Sequence, residues 1–311
     1  MIIRLINYLI IFCAVSILTF CQPKEEPSSD KIKVLIIDGF SNHDWKQTTS
    51  VVKLILEESG LFSVNVSTAP ETPNDIAWGD WNPALGNYDV VIQNTNNIHN
   101  PVIKWPNRVE KALEDYVSDG GGLYILHSAN NAFPHWSEYN KMIGLGWRSE
   151  HEGIAIHIKE DGQLAEIPIG EGRSTYHGPR NDEVINILNE HPINKNFPKA
   201  WKTPDMELYK YARGPAKNLT VLSYANEKAT NINWPVEWTI SYGKGHVYNS
   251  SMGHLWKGET YPLSYQCIGF QTTLIRATEW LATGKTSYPL PHKFPSASEI
   301  KLANFNSFNT K

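Results

Sequence analysis

The stretch LYILHSANNAFPHW, residues 123–136, changes character in a single step. Its first four residues are apolar, as in a strand buried on both faces of a sheet. His127 follows at once, and Ser128, Asn130 and Asn131 come directly after it. A tight turn from a buried strand into a helix presents its first side chain beside free backbone N–H groups. We therefore predict a functional elbow at His127 and Ser128.

Strand and helix patterns alternate through the first half of the chain. The runs KVLIIDGF, FSVNVST, YDVVIQN and LYILH predict strands, and TTSVVKLILEESG and PNRVEKALEDYVSDGGG predict helices. Later, GIAIHIKE, EVINIL, LTVLSYA, VEWTISYG and GHVYNSS predict short strands of an antiparallel extension, ahead of a final helix from Gly269 to Leu281. The sequence thus predicts an α/β fold, a Rossmann-like three-layer sandwich with a mostly parallel sheet and an antiparallel extension.

The N-terminal segment predicts export. Residues 1–20 carry one early cation, Arg4, ahead of a long apolar run, as secretory signals do. SILTFC resembles a bacterial lipoprotein cleavage box, which makes residues 1–21 a predicted signal peptide and Cys21 the predicted site of lipid attachment. An uncleaved membrane anchor is the alternative, because about 20 apolar residues can span a bilayer. We expect an exported protein, anchored by lipid in the periplasm or at the outer membrane.

The rest of the chain divides into three segments. Residues 22–31 are polar and rich in Pro and Ser, which predicts a flexible tether. One domain is predicted over residues 32–284, and a C-terminal tail over residues 285–311. The formal net charge is −4 and no dense Lys/Arg cluster occurs. This charge balance argues against nucleic acid as the main partner.

Polar loops follow several strands of the predicted parallel sheet. The first strand is followed by His43, Asp44 and Trp45, and the third by Asn96. Because the carboxyl ends of parallel strands meet at one edge, we expect these side chains to lie near the elbow and to bind substrate together with Asn131.

Histidines and carboxylates in the loops are candidates for chemistry. We expect His127, Ser128, His177 and His254 to be catalytic, although each loop histidine could instead satisfy local backbone groups. His127 and His254 stand at predicted strand ends on one edge and are candidate ligands of a divalent metal, although their spacing matches no standard metal motif.

Two glutamates are the candidate acids or bases. Glu207 lies in DMELY, and Glu237 is flanked by Trp234 and Trp238. Burial beside aromatic rings would raise the pKa of either carboxyl. A structural hydrogen bond to loop backbone is the alternative for both.

Aromatic residues are abundant, with 11 Trp and 14 Tyr. Trp45, Trp147 and Trp256 lie in or beside the polar loops. Flat aromatic faces next to amides and carboxylates suit a small carbohydrate, whose C–H faces are apolar and whose hydroxyls need polar partners. Packing of the loops is the alternative role for these rings.

Several long segments resemble the ThuA-like (trehalose utilisation protein) family. They include GGLYILHSANNAFPHWSEYNKMIGLGWR, YHGPRNDEVINILNEHPINKNFPKAW, MELYKYARGPAKNLTVLSYA and EWTISYGKGHVYNSSMGH. The resemblance extends over residues 32–284 and implies a class I glutamine amidotransferase-like fold. Amidotransferases carry a cysteine nucleophile at the elbow, where this chain has His127 and Ser128. We therefore do not expect glutamine hydrolysis.

The resemblance also implies a role in carbohydrate metabolism. We expect processing of a 3-keto-glycoside or disaccharide by acid/base or metal-assisted cleavage or isomerisation, and a divalent metal is the one candidate cofactor. Two alternatives stay open at this point: a non-catalytic sugar-binding lipoprotein, and a hydrolase centred on Ser128.

Overall fold

The computed structural model of the protein describes residues 31–260 and 262–303. The predicted signal peptide, the lipidation site Cys21, nearly all of the tether and the last eight residues lie outside the described residues. Within those residues, no helix combines the length and apolar character needed to cross a bilayer.

The described chain forms twelve strands and five α-helices. The strands are β1 (Ile32–Asp38), β2 (Phe62–Thr68), β3 (Val90–Gln93), β4 (Gly122–Leu126), β5 (Ile154–Ile158), β6 (Leu164–Ile167), β7 (Asn181–Ile187), β8 (Ala200–Met206), β9 (Arg213–Gly214), β10 (Leu219–Glu227), β11 (Ile232–Tyr242) and β12 (Gly245–Ser250). The helices are α1 (Trp45–Glu58), α2 (Asn107–Ser118), α3 (Ser137–Ile143), α4 (Leu263–Gln266) and α5 (Ile268–Thr283).

The first half of the sheet is parallel and is covered on both faces. Its strand order is β2-β1-β3-β4-β12, with every neighbouring pair parallel. Side chains of α1 and α5 share one apolar core with the sheet, whereas those of α2 and α3 belong to a second core. Because both of their faces are buried, β1, β3 and β4 consist of apolar runs, whereas β2, at the edge of the sheet, alternates between buried and exposed residues. The predicted α/β class and three-layer arrangement are confirmed.

The second half of the sheet is antiparallel. Strands β11, β10, β7 and β8 continue the order, while β5 pairs with β11, β6 and β9. β12 departs in part from the prediction, which assigned GHVYNSS to the extension. It pairs antiparallel with β11 but parallel with β4, so it joins the two halves. Its last residue, Ser250, pairs with Leu126 beside the elbow.

The segment that follows α5 packs against the domain as far as residue 303. Phe294 lies with its ring 4.4 Å from that of Phe197 and 5.6 Å from that of Trp201. The amide of Ala303 donates to the carbonyl of Gln266 at 2.8 Å. Cys267, at the start of α5, is buried, as expected of a structural thiol.

Candidate functional site

The elbow is a backbone turn in an unfavourable conformation. β4 ends at Leu126, and His127 opens a 3₁₀ turn, His127–Asn131, with a φ of +42°. A left-handed conformation at a residue other than glycine costs about 1–3 kcal/mol and persists only where the surroundings hold it. Here His127 Nδ1 donates to the carbonyl of Ser251 at 2.7 Å. Since that nitrogen carries the proton, Nε2 presents a lone pair.

Three histidines and a glutamate converge at this elbow. One potential ligand atom from each of His43, His127, Glu207 and His254 lies within 4.8 Å of the other three. The residues come from the loop after β1, the elbow, the residue after β8 and the loop after β12. All four are buried. Imidazole nitrogen and carboxylate oxygen are the ligands of many zinc and other first-row metal sites, and we call this group the His-Glu cluster.

His43 is oriented by two asparagines. Its Nδ1 donates to Asn42 Oδ1 at 2.9 Å, and Asn96 Nδ2 donates to the same oxygen at 2.5 Å. His43 Nε2 is buried and has no hydrogen-bond partner among the described residues. An orphaned lone pair inside a polar cluster costs free energy unless another group binds there, so this nitrogen fits a ligand atom. Asn96, expected to bind substrate, supports His43 through Asn42.

His254 has both ring nitrogens engaged. Nε2 lies 3.2 Å from Glu207 Oε1, and Nδ1 lies 2.9 Å from Arg180 Nη1. Arg180 also contacts the carboxylates of Asp205, at 3.1 Å, and Glu259. Because arginine can only donate, His254 Nδ1 accepts, and the ring proton lies on Nε2.

Burial sets the protonation of the cluster. It lowers the pKa of His127 to about 4. Burial, with repulsion from His127, lowers the pKa of His43 to about 2. The pKa of His254 is also well below its usual range for the same reasons. All three rings are therefore neutral at pH 7, the form that binds metals. Burial raises the pKa of Glu207, although His177 and Arg180 act in the opposite direction.

Aromatic rings and a fourth histidine surround the His-Glu cluster. Trp256 is 43% exposed, stacks on His254 with ring centroids 6.0 Å apart, and meets the ring of His43 edge-on. Trp147 lies 5.6 Å from the ring of His177. His177 is exposed, and its Nε2 lies 3.6 Å from Glu207 Oε1. These contacts bring two of the three tryptophans expected to bind sugar, Trp147 and Trp256, next to the cluster.

Other predicted site residues have side-chain hydrogen bonds or helix positions that do not involve the His-Glu cluster. Asp44 caps α1, accepting from the amide of Gln47 at 3.0 Å, and Trp45 is the first residue of that helix. Glu237 is buried in β11 and accepts from Ser223 Oγ at 2.5 Å and from the hydroxyl of Tyr248. These contacts are the structural hydrogen bonds considered as the alternative for Glu237, though to side chains rather than loop backbone.

Two further polar side chains of the elbow, those of Ser128 and Asn131, are buried. Ser128 is buried, and within residues 31–260 and 262–303 no histidine hydrogen-bonds its hydroxyl. Asn131 is also buried in the elbow, and its Oδ1 has no partner among those residues.

The structure adds residues that the sequence did not single out. Tyr209 is buried, with its hydroxyl 3.5 Å from His127 Nε2 and its ring 5.2 Å from that of Trp147. It lies two residues after Glu207, so the alternation of an extended chain could have suggested it. Arg180 follows His177 in YHGPR, but an exposed arginine in a loop gives no local signal of a role. The sequence around Glu259 likewise contains no local signal of its contact with Arg180.

Comparison with known proteins identifies the family. The model of the ThuA family, described as trehalose utilisation, matches residues 33–281. The chain belongs to the ThuA family. A solved ThuA-like protein from Parabacteroides merdae is 32% identical, with a TM-score of 0.81 over 88% of this chain and 98% of that chain. Family membership relates the protein to trehalose utilisation and confirms the resemblance seen in the sequence.

More distant structures are also similar. A cytoplasmic protein from Salmonella typhimurium is 15% identical, with a TM-score of 0.45 over 81% of this chain and 100% of that one. A GMP synthase protein from Thermoplasma acidophilum is 10% identical, with a TM-score of 0.39 over 81% of this chain and 96% of that one. Comparison with curated proteins gives no match.

Proposed function

We propose that this ThuA-family protein is a metal-dependent enzyme that cleaves or isomerises a 3-keto-glycoside or disaccharide. The observation that carries the proposal is the convergence of three buried, neutral imidazoles with one carboxylate in the His-Glu cluster. Burying four polar side chains in one place is costly unless they share a bound group or a reaction.

The cluster has the composition of a divalent metal site. His43, His127 and His254 would hold the ion through nitrogen, and Glu207 through its carboxylate. The His127 Nδ1–H bond to a backbone carbonyl and the His43 Nδ1–H bond to Asn42 are the supports that metal-bound histidines usually have. When bound, such an ion supplies a Lewis acid for a sugar carbonyl or developing enolate.

Residues of the chain itself provide a base and an acid. A 3-keto group acidifies the C–H at carbon 2, so a base that removes this proton allows loss of the glycosidic oxygen. His177 is the candidate base, because its Nδ1 donates to the carbonyl of Gly178 at 2.6 Å and leaves the Nε2 lone pair available. The Tyr209 hydroxyl is a candidate donor to the leaving oxygen.

The aromatic rim supports a sugar as the substrate. Trp256 and Trp147 stand at the cluster beside His254 and His177. Their faces can pack on the apolar side of a pyranose ring. The same two rings favour a second candidate function, a non-catalytic sugar-binding lipoprotein, which would need no base and no metal. Export and a lipid on Cys21 belong to either version, and the mass of the mature chain tests them.

Metal content is the deciding measurement. The full-length chain, purified in detergent, is analysed by plasma mass spectrometry beside a His127→Ala/His254→Ala variant and a Ser128→Ala control, and each is assayed on a 3-keto-glycoside. We expect about one divalent ion per chain and turnover in the wild type and in Ser128→Ala, and neither in the double variant. Metal-free wild type without turnover would contradict the enzyme and leave sugar binding. Loss of turnover in Ser128→Ala, with labelling by a fluorophosphonate, would favour the serine hydrolase.

A further inference from the structure

Arg180 joins three segments that build the site. Its Nη1 contacts His254 Nδ1 at 2.9 Å, Asp205 Oδ2 at 3.1 Å and the carboxylate of Glu259. Glu259 in turn accepts from the backbone amide of Trp256 at 3.0 Å. One guanidinium nitrogen thus links the loop of His177, the end of β8 and the turn that carries Trp256.

The hydrogen bond from Arg180 to His254 conflicts with a role for that imidazole as a metal ligand. A neutral imidazole has one N–H and one lone pair, and the guanidinium can only donate. Arg180 therefore takes the lone pair on Nδ1 and keeps the proton on Nε2, the nitrogen that faces Glu207. A ligand nitrogen needs its lone pair free. In this arrangement His254 is a hydrogen-bond donor to Glu207 and not a ligand.

We propose that Arg180 is a positioning residue that opposes metal binding, and that it leaves His254 Nδ1 when a divalent ion enters the His-Glu cluster. The inference rests on the metal site proposed above. The ring proton moves from Nε2 to Nδ1 with no change in the number of protons on the ring. If Arg180 stayed in place, its guanidinium N–H would then face the new Nδ1–H of His254. Two donors repel each other, so Arg180 moves away from the His254 ring.

The surroundings of His254 can accommodate this exchange. One potential ligand atom from each of Asp205 and Glu259 lies within 4.8 Å of a ring nitrogen of His254, so a shift of about 1–2 Å would bring either carboxylate within hydrogen-bonding distance of that ring. A carboxylate that accepts from a metal-bound histidine is a common support in metal sites. The Arg180 side chain is 32% exposed and can turn towards solvent. Since Glu259 also holds the turn of Trp256, release of Arg180 would loosen the aromatic rim as the ion binds.

Metal affinity tests the proposal without reference to activity. The full-length chain, Arg180→Gln, Arg180→Lys and Arg173→Gln are each dialysed against Co²⁺ alone, and the bound metal is measured. Arg173 is a matched control, because it is exposed on the same loop and packs over the ring of Tyr176, 4.5 Å away. We expect Arg180→Gln to bind Co²⁺ at least about tenfold more tightly than the wild type, the size typical of supporting contacts in metal sites. Arg180→Lys, which still has a donor, should lie between the two, and Arg173→Gln should match the wild type.

Whether Arg180→Gln raises or lowers the affinity for Co²⁺ distinguishes opposition to metal binding from a purely structural role of Arg180. Loss of a merely structural contact would weaken binding, so equal or weaker affinity in Arg180→Gln overturns the inference while the metal site stands. Co²⁺ bound by Arg180→Gln but not by the wild type would support the inference in its strongest form. Absence of Co²⁺ from both proteins would overturn the metal site and this inference together.

Discussion

Replacement of Glu207 by glutamine isolates the carboxylate at the centre of the cluster. Glu207 Oε1 lies 3.2 Å from His254 Nε2, and Oε2 lies 3.7 Å from His127 Nε2. Glutamine keeps the shape of the side chain but removes the negative charge that would bind a cation. We expect Glu207→Gln to weaken metal binding about 100-fold, the top of the range for groups that only support metal ligands.

The expected size of the effect follows from linkage. Metal at about 1,000 times its Kd stabilises the folded state by about 4 kcal/mol. An unfolding entropy of about 2 cal/mol/K per residue, over about 270 ordered residues, gives about 0.6 kcal/mol/K. Saturating metal should therefore raise the Tm of the wild type by about 7 °C. After a 100-fold loss of affinity about 1.4 kcal/mol remains, or about 2–3 °C.

Thermal melts with EDTA and with Co²⁺ measure both shifts on one protein sample. Glu237→Gln is the matched control, because Glu237 is equally buried and lies in β11 with Ser223 and Tyr248 as its partners. It should have a lower Tm in EDTA but keep the full shift of about 7 °C on adding metal. A full metal shift in Glu207→Gln would refute the assignment of Glu207 as a ligand.

Three further outcomes can be measured. Trp256→Ala should raise KM for the sugar about tenfold through lost stacking, with kcat less affected; an unchanged KM would contradict a sugar-binding role. Asp44→Ala removes a helix cap worth about 1 kcal/mol and should lower Tm by about 2 °C while the metal-induced shift stays intact; loss of that shift would indicate a direct role in the site. His191, outside the cluster, has its pKa lowered to about 4 by burial and by His246. Because the unfolded chain binds this proton more readily, the stability it contributes is present above about pH 6.5 and is lost as the pH falls towards 4, by about 1–2 kcal/mol after solvent screening. His191→Gln should flatten that part of the pH–Tm curve, and an unchanged slope would exclude His191 as its cause.

The parallel half of the fold follows from local patterns. Apolar runs such as KVLIIDGF and LYILH mark strands buried on both faces, and the helical patterns between them force parallel connections. The position of β12 does not follow in this way, because its pairing with β4 joins residues more than 100 positions apart. Nothing in the local pattern of GHVYNSS distinguishes a strand of the extension from one that also enters the parallel half.

The sequence predicted part of the site in the same way: it indicated residues at strand ends, but not the long-range contacts of individual side chains. His43 and His127 follow strands of the parallel half, whose carboxyl ends meet at one edge, so their proximity follows from the fold class. The proximity of His254 depends on the pairing of β12 with β4, which the local pattern did not predict. Glu237 was singled out because tryptophans flank it, but such flanking residues indicate burial and not which neighbours a side chain meets. Arg180 acts through a contact with His254 across 74 positions of the chain, and no residue near it predicts that contact.

The position of β12 also determines when the site can exist. His43 and His127 come early in the chain, whereas Ser251, which fixes His127, and His254 follow the last strand. A nascent chain that ends before β12 therefore has neither the hydrogen bond that holds the elbow nor the final imidazole. Contacts between such distant segments form late, since the entropy of closing long loops opposes them. Capacity to hold an ion would thus report completion of the fold, and a copy of this chain truncated before β12 would not compete for metal.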